Sequence, residues 1–213
     1  MTLVPIPSGV RFTAFTPQLL VSKAVARMAG RRTESQQDAM PYWRLTDART
    51  ELLTPEQAGA MDAWRLQVSG GSGAFLVHDV LRPRPFYAGR VALSSQQGGE
   101  ATIGSIATST SAVLIGLPIG FQLIVGDKVG FKMTEETRSL HVLTANVTAT
   151  DDGSGDGTAT ISFHPPLSQP TITTSAIAVF EKPSVPMELV GDWSLPHERS
   201  NRRASFSAVE VFL

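Results

Sequence analysis

Residues 204–213 read ASFSAVEVFL, from Ala204 to Leu213, and this stretch decides how the chain is organised. Phe206, Ala208, Glu210 and Phe212 fall on one side; Ser207, Val209 and Val211 fall on the other. A period of two is the period of a β-strand. A strand this apolar on both sides is a sticky edge if left unpaired, so it must lie within a sheet. The expected partner is the first part of the chain, which makes the middle part an insertion. Pro83 and Pro85 before the middle part, and Pro196 with the polar run from His197 to Arg203 after it, supply the exit and return links. The ends of a parent domain that carries an insertion lie close together, which suits this arrangement. The expected division is therefore 1–85 plus 191–213 as a parent β domain, with 90–189 as an inserted peripheral β domain.

Upstream, Thr54-Pro55-Glu56-Gln57 places a hydroxyl at the N-cap, proline at the first helical position and Gln three residues after the cap. In this box the cap and the third residue satisfy each other's backbone donors. Ala58, Met61, Trp64 and Val68 follow on one helical face. Ser69-Gly70-Gly71 supplies the stop. The spacing predicts one helix over Pro55 to Val68 and no other long one. Before it, Val10 to Met28 predicts two short strands around Pro17. Ala29 to Asp38 (AGRRTESQQD) reads as a loop or the tip of an extended hairpin, and Met40 to Ala48 as a strand.

After the helix, Ala74 to Val80 (AFLVHDV) is a short apolar run of the buried-strand type. From Arg90 onward Thr, Ser, Ile and Val dominate. Strands are expected in Ala101 to Leu117, Lys128 to Met133, Ser139 to Thr148, Thr158 to Phe163, Ser175 to Phe180 and Ser184 to Val190. Asp151 to Gly157 (DDGSGDG) is a turn. The fold class is therefore mainly β with one helix, and the insertion a small β-barrel or β-sandwich.

Composition narrows the chemistry. The 213 residues include no cysteine, which excludes disulfides and thiolate-held metals. Lys plus Arg number 18 and Asp plus Glu 19, so the basic excess of a general nucleic-acid binder is missing. Met1 to Val10 lacks the pattern of a secretory signal. Ala112 to Val125 is broken by Gly116, Pro118 and Gly120, so no membrane span is expected.

Catalytic patterns are weak. His78 and Asp79 are strand neighbours and point to opposite faces. His78, His141, His164 and His197 stand singly, without metal-motif spacing. Gly71-Ser72-Gly73 lies between helix and strand in the reverse order of a nucleophile elbow. A calcium loop starting at Asp151 would need Glu at its twelfth position, which is Ser162. No catalytic residue, metal or cofactor is expected. Arginines gather at Arg27, Arg31 and Arg32, at Arg82, Arg84 and Arg90, and at Arg199, Arg202 and Arg203. Arg is enriched at protein interfaces, so these groups are candidates for subunit contact.

Three stretches carry a likeness. The first is Tyr42-Trp43, then Leu52-Leu53-Thr54-Pro55-Glu56-Gln57 and the helix with Trp64. The second is Gly73 to Asp79 with Arg82 and Pro85. The third comprises Ile119, Gly120, Gly126-Asp127, Leu140-His141-Val142, Asp152-Gly153, Pro165-Pro166-Leu167 and Pro186-Met187-Glu188-Leu189. Through these the chain resembles distal tail proteins of long, flexible-tailed bacteriophages and related tail-like particles.

The resemblance implies a non-enzymatic ring, usually a hexamer, at the far end of the tail tube. It would join the tube to the hub and attachment apparatus, with an outward β domain. It implies self-association, contact with the tail tube and hub proteins, no specific nucleic acid and no membrane. It also implies a place in the virion tail tip after assembly in the host cytoplasm. The ring-forming segment is expected within Val10 to Met40, with Arg27, Arg31, Arg32, Phe12 and Phe15 at the subunit contact. A host-surface carbohydrate-binding module is the competing reading, carried by the inserted domain. Its region has Phe121, Phe131, Phe163 and Phe180 but no Trp or Tyr, which counts against it. A hydrolase ranks last.

Overall fold

A computed structural model describes residues 2–21, 23–27, 33–37, 39–69, 73–89, 91–94, 97–151, 153, 155–167, 172–196 and 201–211, with 23–27 and 33–37 through their backbone. In chain order the strands are β1 Thr2–Leu3, β2 Phe12–Ala14, β3 Gln18–Leu20, β4 Lys23–Arg27, β5 Thr33–Gln37 and β6 Tyr42–Thr50. Helix α1 spans Pro55–Ser69 and β7 spans Gly73–His78. Then come β8 Glu100–Thr108, β9 Ser111–Leu117, β10 Gln122–Leu123, β11 Lys128–Lys132, β12 Arg138–Leu143 and β13 Val147–Thr148. Strands β14 Thr150–Asp151, β15 Gly157–His164, β16 Ile177–Val179, β17 Ser184–Ser194 and β18 Ser205–Glu210 complete the fold. The protein is mainly β with one α-helix among the described residues.

The first sheet runs in the order β1-β7-β17-β18-β6-β2, with β3 also on β6. Strand β18 pairs antiparallel with β17 on one side and β6 on the other. The last strand is thus the centre of the first sheet, and β6 reaches β7 only through it. Its burial alternates as the sequence does: Phe206 and Ala208 are buried, while Ser205, Ser207 and Val209 are half-buried.

Helix α1 covers one face of this sheet. Its box forms as read: Gln57 N–H donates to Thr54 Oγ1 at 3.2 Å, and Thr54 N–H donates to Gln57 Oε1 at 2.9 Å. Ala58, Met61, Trp64 and Val68 are the buried face. Trp64 meets Phe75 at 5.0 Å and Phe206 at 5.6 Å between ring centroids, and Trp193 stacks on Phe206 at 5.4 Å. Gly70 and Gly71, the expected stop, lie outside the described residues. Gly73 is required for another reason: a Cβ there would lie 2.7 Å from the Gln67 carbonyl, so helix and strand approach too closely for any side chain.

The second sheet closes on itself. Strands β12, β11, β16, β8, β9 and β15 pair in turn, and β12 pairs back to β15. Every one of these pairings is antiparallel. Closure removes the sheet's edges, and side chains fill a barrel of this size. Leu114, Leu117, Phe131, Phe163 and Phe180 are among its buried residues.

The sheets draw the boundary differently from the sequence reading. Strand β17 starts at Ser184 and belongs to the first sheet throughout, pairing with both β7 and β18. The expected break at 189–191 therefore falls inside one continuous strand. The last barrel strand ends at Val179. Strand membership is set by partners far away in sequence, which local composition does not display.

Candidate assembly interface

Two features join here: an arm that leaves the first sheet, and a polar hub between sheet and barrel. The arm grows out of β3 and β6. Gln18–Leu20 pair with Tyr42–Arg44, and the ladder resumes as Lys23–Arg27 paired with Thr33–Gln37. Strands β4 and β5 pair with each other and with no other strand among the described residues. Five residues at ~3.4 Å each make each strand of the arm about 17 Å long. Val21 and Met40, at the foot of the arm, are exposed.

The structure sorts the expected contact residues. The backbone of Arg27 pairs with Thr33 at the end of the arm. Arg31 and Arg32 lie outside the described residues. Phe15 corrects the reading: it is 2% exposed and sits in the core, 4.3 Å from the half-buried Phe12. Phe12 in turn packs edge-on against Phe206 at 6.1 Å. Phe15 is spent on the fold and offers no surface to a neighbour. Local alternation did not show that the segment folds back over the helix-side core.

Two further arginines also serve the chain itself. Arg84 donates to both carboxylate oxygens of Glu181, at 2.9 and 2.7 Å. Arg202 Nε donates to the Leu53 carbonyl at 3.0 Å. Arg90 and Arg199 lie outside the described residues.

The hub centres on Asp79, which is buried just past the end of β7. It accepts from Lys128 Nζ at 2.5 Å, from the N–H groups of Leu81 and Arg82 at 3.0 and 3.3 Å, and from Thr16 Oγ1 at 3.3 Å. Burial pushes its carboxyl up, but Lys128 and the two N–H donors outweigh this and hold it below the usual carboxylate range. Lys128 belongs to the barrel and lies 5.9 Å from the Trp43 ring centroid. Trp43 Nε1 donates across to the Leu140 carbonyl at 2.6 Å. Leu140 and Val142 of β12 pack into the first sheet's core. Sheet and barrel therefore meet through a buried ion pair ringed by apolar contact.

A second acid sits at the foot of the arm. Glu210 Oε2 accepts from the Trp43 N–H at 2.8 Å. Burial pushes its carboxyl up to about 7, against the opposing pull of that N–H. His141 is held on both ring nitrogens, at 2.7 Å by the Pro165 carbonyl and at 2.7 Å by Ser139 Oγ. Burial lowers its pKa to about 4, so the ring is neutral near pH 7. Burial also lowers His78, helped by Lys182. Among the described residues no group of three or more His, Asp or Glu could hold a metal ion. No described helix is long and apolar enough to cross a membrane.

Sequence reading weighed Asp79 only beside His78 as a catalytic candidate, and passed over Lys128 and Glu210. The signal was present for two of the three. Asp79 ends an apolar run, and Glu210 falls on the side of its strand that carries Phe206 and Ala208. An acid in either place needs a partner once buried. No protein-family model matches the chain, and no curated protein matches it.

Proposed function

We propose that the chain is the repeating subunit of a homo-oligomeric ring at the tip of a tail tube, of the distal-tail kind. The arm of β4 and β5 is the observation that carries this reading. An isolated two-stranded ribbon is marginal in water and leaves strand edges open. An arm of this kind is completed when it lies on a neighbouring molecule. Contact between an arm and a different surface of the next copy is heterologous, the type that closes into rings.

In this reading the assembly is a hexamer in the virion tail tip. It contacts the tube protein on one side and hub components on the other. The protein works by presenting surfaces and not by catalysis. The sugar-binding alternative gains no support from the barrel, where Phe131, Phe163 and Phe180 are buried and Phe121 is half-buried against Phe180. Among the described barrel residues no aromatic platform is offered.

The test is the native mass of the purified chain beside a variant in which Lys23–Gln37 is replaced by an Asn-Gly turn. The intact chain is expected to form a closed oligomer and the variant to remain a folded monomer with unchanged melting. An intact chain that stays monomeric at high micromolar concentration overturns the reading. So does a variant that assembles as well as the intact chain.

A further inference from the structure

The connector between the first sheet and the barrel is built to present apolar side chains. Leu81 is 77% exposed, Phe86 65%, Tyr87 62% and Val91 72%. The Phe86 and Tyr87 rings brace each other edge-on at 5.6 Å. A passive linker with these residues would be mobile or would turn them inward. This one is pinned. Asp79 holds the N–H groups of Leu81 and Arg82, and Phe86 N–H donates to Asp127 Oδ1 at 3.0 Å. Lys182 N–H donates to the Pro83 carbonyl at 2.6 Å, and Leu93 N–H donates to Glu181 at 3.0 Å. Pro85 is buried. The ordering cost of a binding loop is thus met within the free chain.

A second surface has the opposite relief. Helix α1 buries Ala58, Met61, Trp64 and Val68 on one side, yet its outer side carries Gly59, Ala60, Ala63 and Leu66, all exposed. Leu66 is 73% exposed, and the place of a Cβ on Gly59 is open space. The same outer side also carries the exposed Glu56 and Gln67. Of Gly59, Ala60, Ala63 and Leu66, three are Gly or Ala, whereas the large exposed apolar residues of the connector are Leu81, Phe86, Tyr87 and Val91. The charges at the two surfaces are also opposite: Arg82 is exposed on the connector, Glu56 on the helix.

We infer that the connector of one copy, through Phe86 and Tyr87, packs on the outer face of α1, at Ala63 and Leu66, of the next copy. The inference rests on the ring reading above and gives that ring a second contact, separate from the arm. Large side chains set against small ones interdigitate, as in a core. The two surfaces differ, so the contact is heterologous and can be repeated around a ring.

The chain has no cysteine of its own, which allows a clean disulfide test. In a chain carrying Phe86→Cys and Ala63→Cys together, mild oxidation of the assembled protein is expected to give a ladder of linked chains up to the ring order. Each single variant is expected to stay unlinked, and a mixture of the two to stop at dimers. Leu66→Glu, or Phe86→Ser with Tyr87→Ser, is expected to weaken assembly at least tenfold. The melting of the dissociated chain should not change, since all three residues are exposed.

A double-cysteine chain that assembles but gives no ladder, with assembly that ignores the Leu66, Phe86 and Tyr87 substitutions, overturns this contact and leaves the arm-built ring standing. Dimers from a single-cysteine variant point to a face-to-face contact and also overturn it. A chain that stays monomeric removes both readings.

Discussion

The carboxylate of Glu210 takes the place of a ladder carbonyl for the backbone N–H of Trp43, at 2.8 Å, just beyond the last main-chain pair of their strands. A titratable side chain therefore ends the central strand at the foot of the arm.

This makes stability depend on pH in a definite direction. Glu210 has its pKa raised from 4.5 to about 7, so the folded chain keeps a proton that the unfolded chain has lost in that window. Its contribution is fully present below about 4.5 and is lost as pH rises through about 7. His141, lowered from 6.5 to about 4, acts with the opposite sign: its contribution is present above 6.5 and is lost as pH falls towards 4. His78, also lowered, shares the His141 sign. The opposing slopes offset each other in the wild type where the windows overlap. Glu210→Gln removes one slope, so its stability should climb with pH across about 5 to 6.5. At pH 8 it should exceed the wild type by on the order of 2–3 kcal/mol. Urea midpoints across pH measure this; identical profiles for the two chains refute the role given to Glu210.

Lys128→Met should be far more damaging than a surface substitution. It leaves the buried carboxylate of Asp79 without its cation, a loss of about 3–5 kcal/mol. Adding Asp79→Asn removes the stranded charge and should recover part of that loss. A double variant no more stable than Lys128→Met alone, by chemical denaturation, would show that the ion pair is not the hub.

Trp64→Ala should cost about 3–5 kcal/mol, because its ring is wedged between Phe75, Phe206 and Trp193. Gln67→Ala, on the exposed side of the same helix, should stay within about 0.5 kcal/mol. Equal thermal shifts for the pair would mean that the helix does not pack as described.

A chain ending at Arg203 lacks β18 and should lose the middle of the first sheet. Amide exchange is expected to speed up in Trp43–Arg49 and in Val185–Val190. The amides of Leu114, Phe131 and Phe163 should stay protected, since the barrel closes without β18. Protection lost from Phe163 and kept at Val77 would reverse the topology.

Much of this was legible in the residues themselves. Thr54 and Gln57 announce the helix because a capping box is a contact across three residues, and the buried face at 58, 61, 64 and 68 follows from a helix's period. The alternation from Phe206 onward told that β18 is a strand and must be paired, while the burial of Phe206 and Ala208 is what fixes the side that faces the core. Such features depend on near neighbours in the chain, so they can be read in order. Tertiary structure alone decided the rest. Ser184–Leu189 looked like the end of the insertion but belongs to the first sheet, since its ladders run to Phe75–His78 and to Val209 and Glu210. Phe15 looked available for a partner but is closed over by Phe12. The ion pair of Asp79 with Lys128 and the raised pKa of Glu210 come from burial by segments distant in sequence. Desolvation and long-range pairing are properties of the folded neighbourhood, and no local window of the sequence contains them.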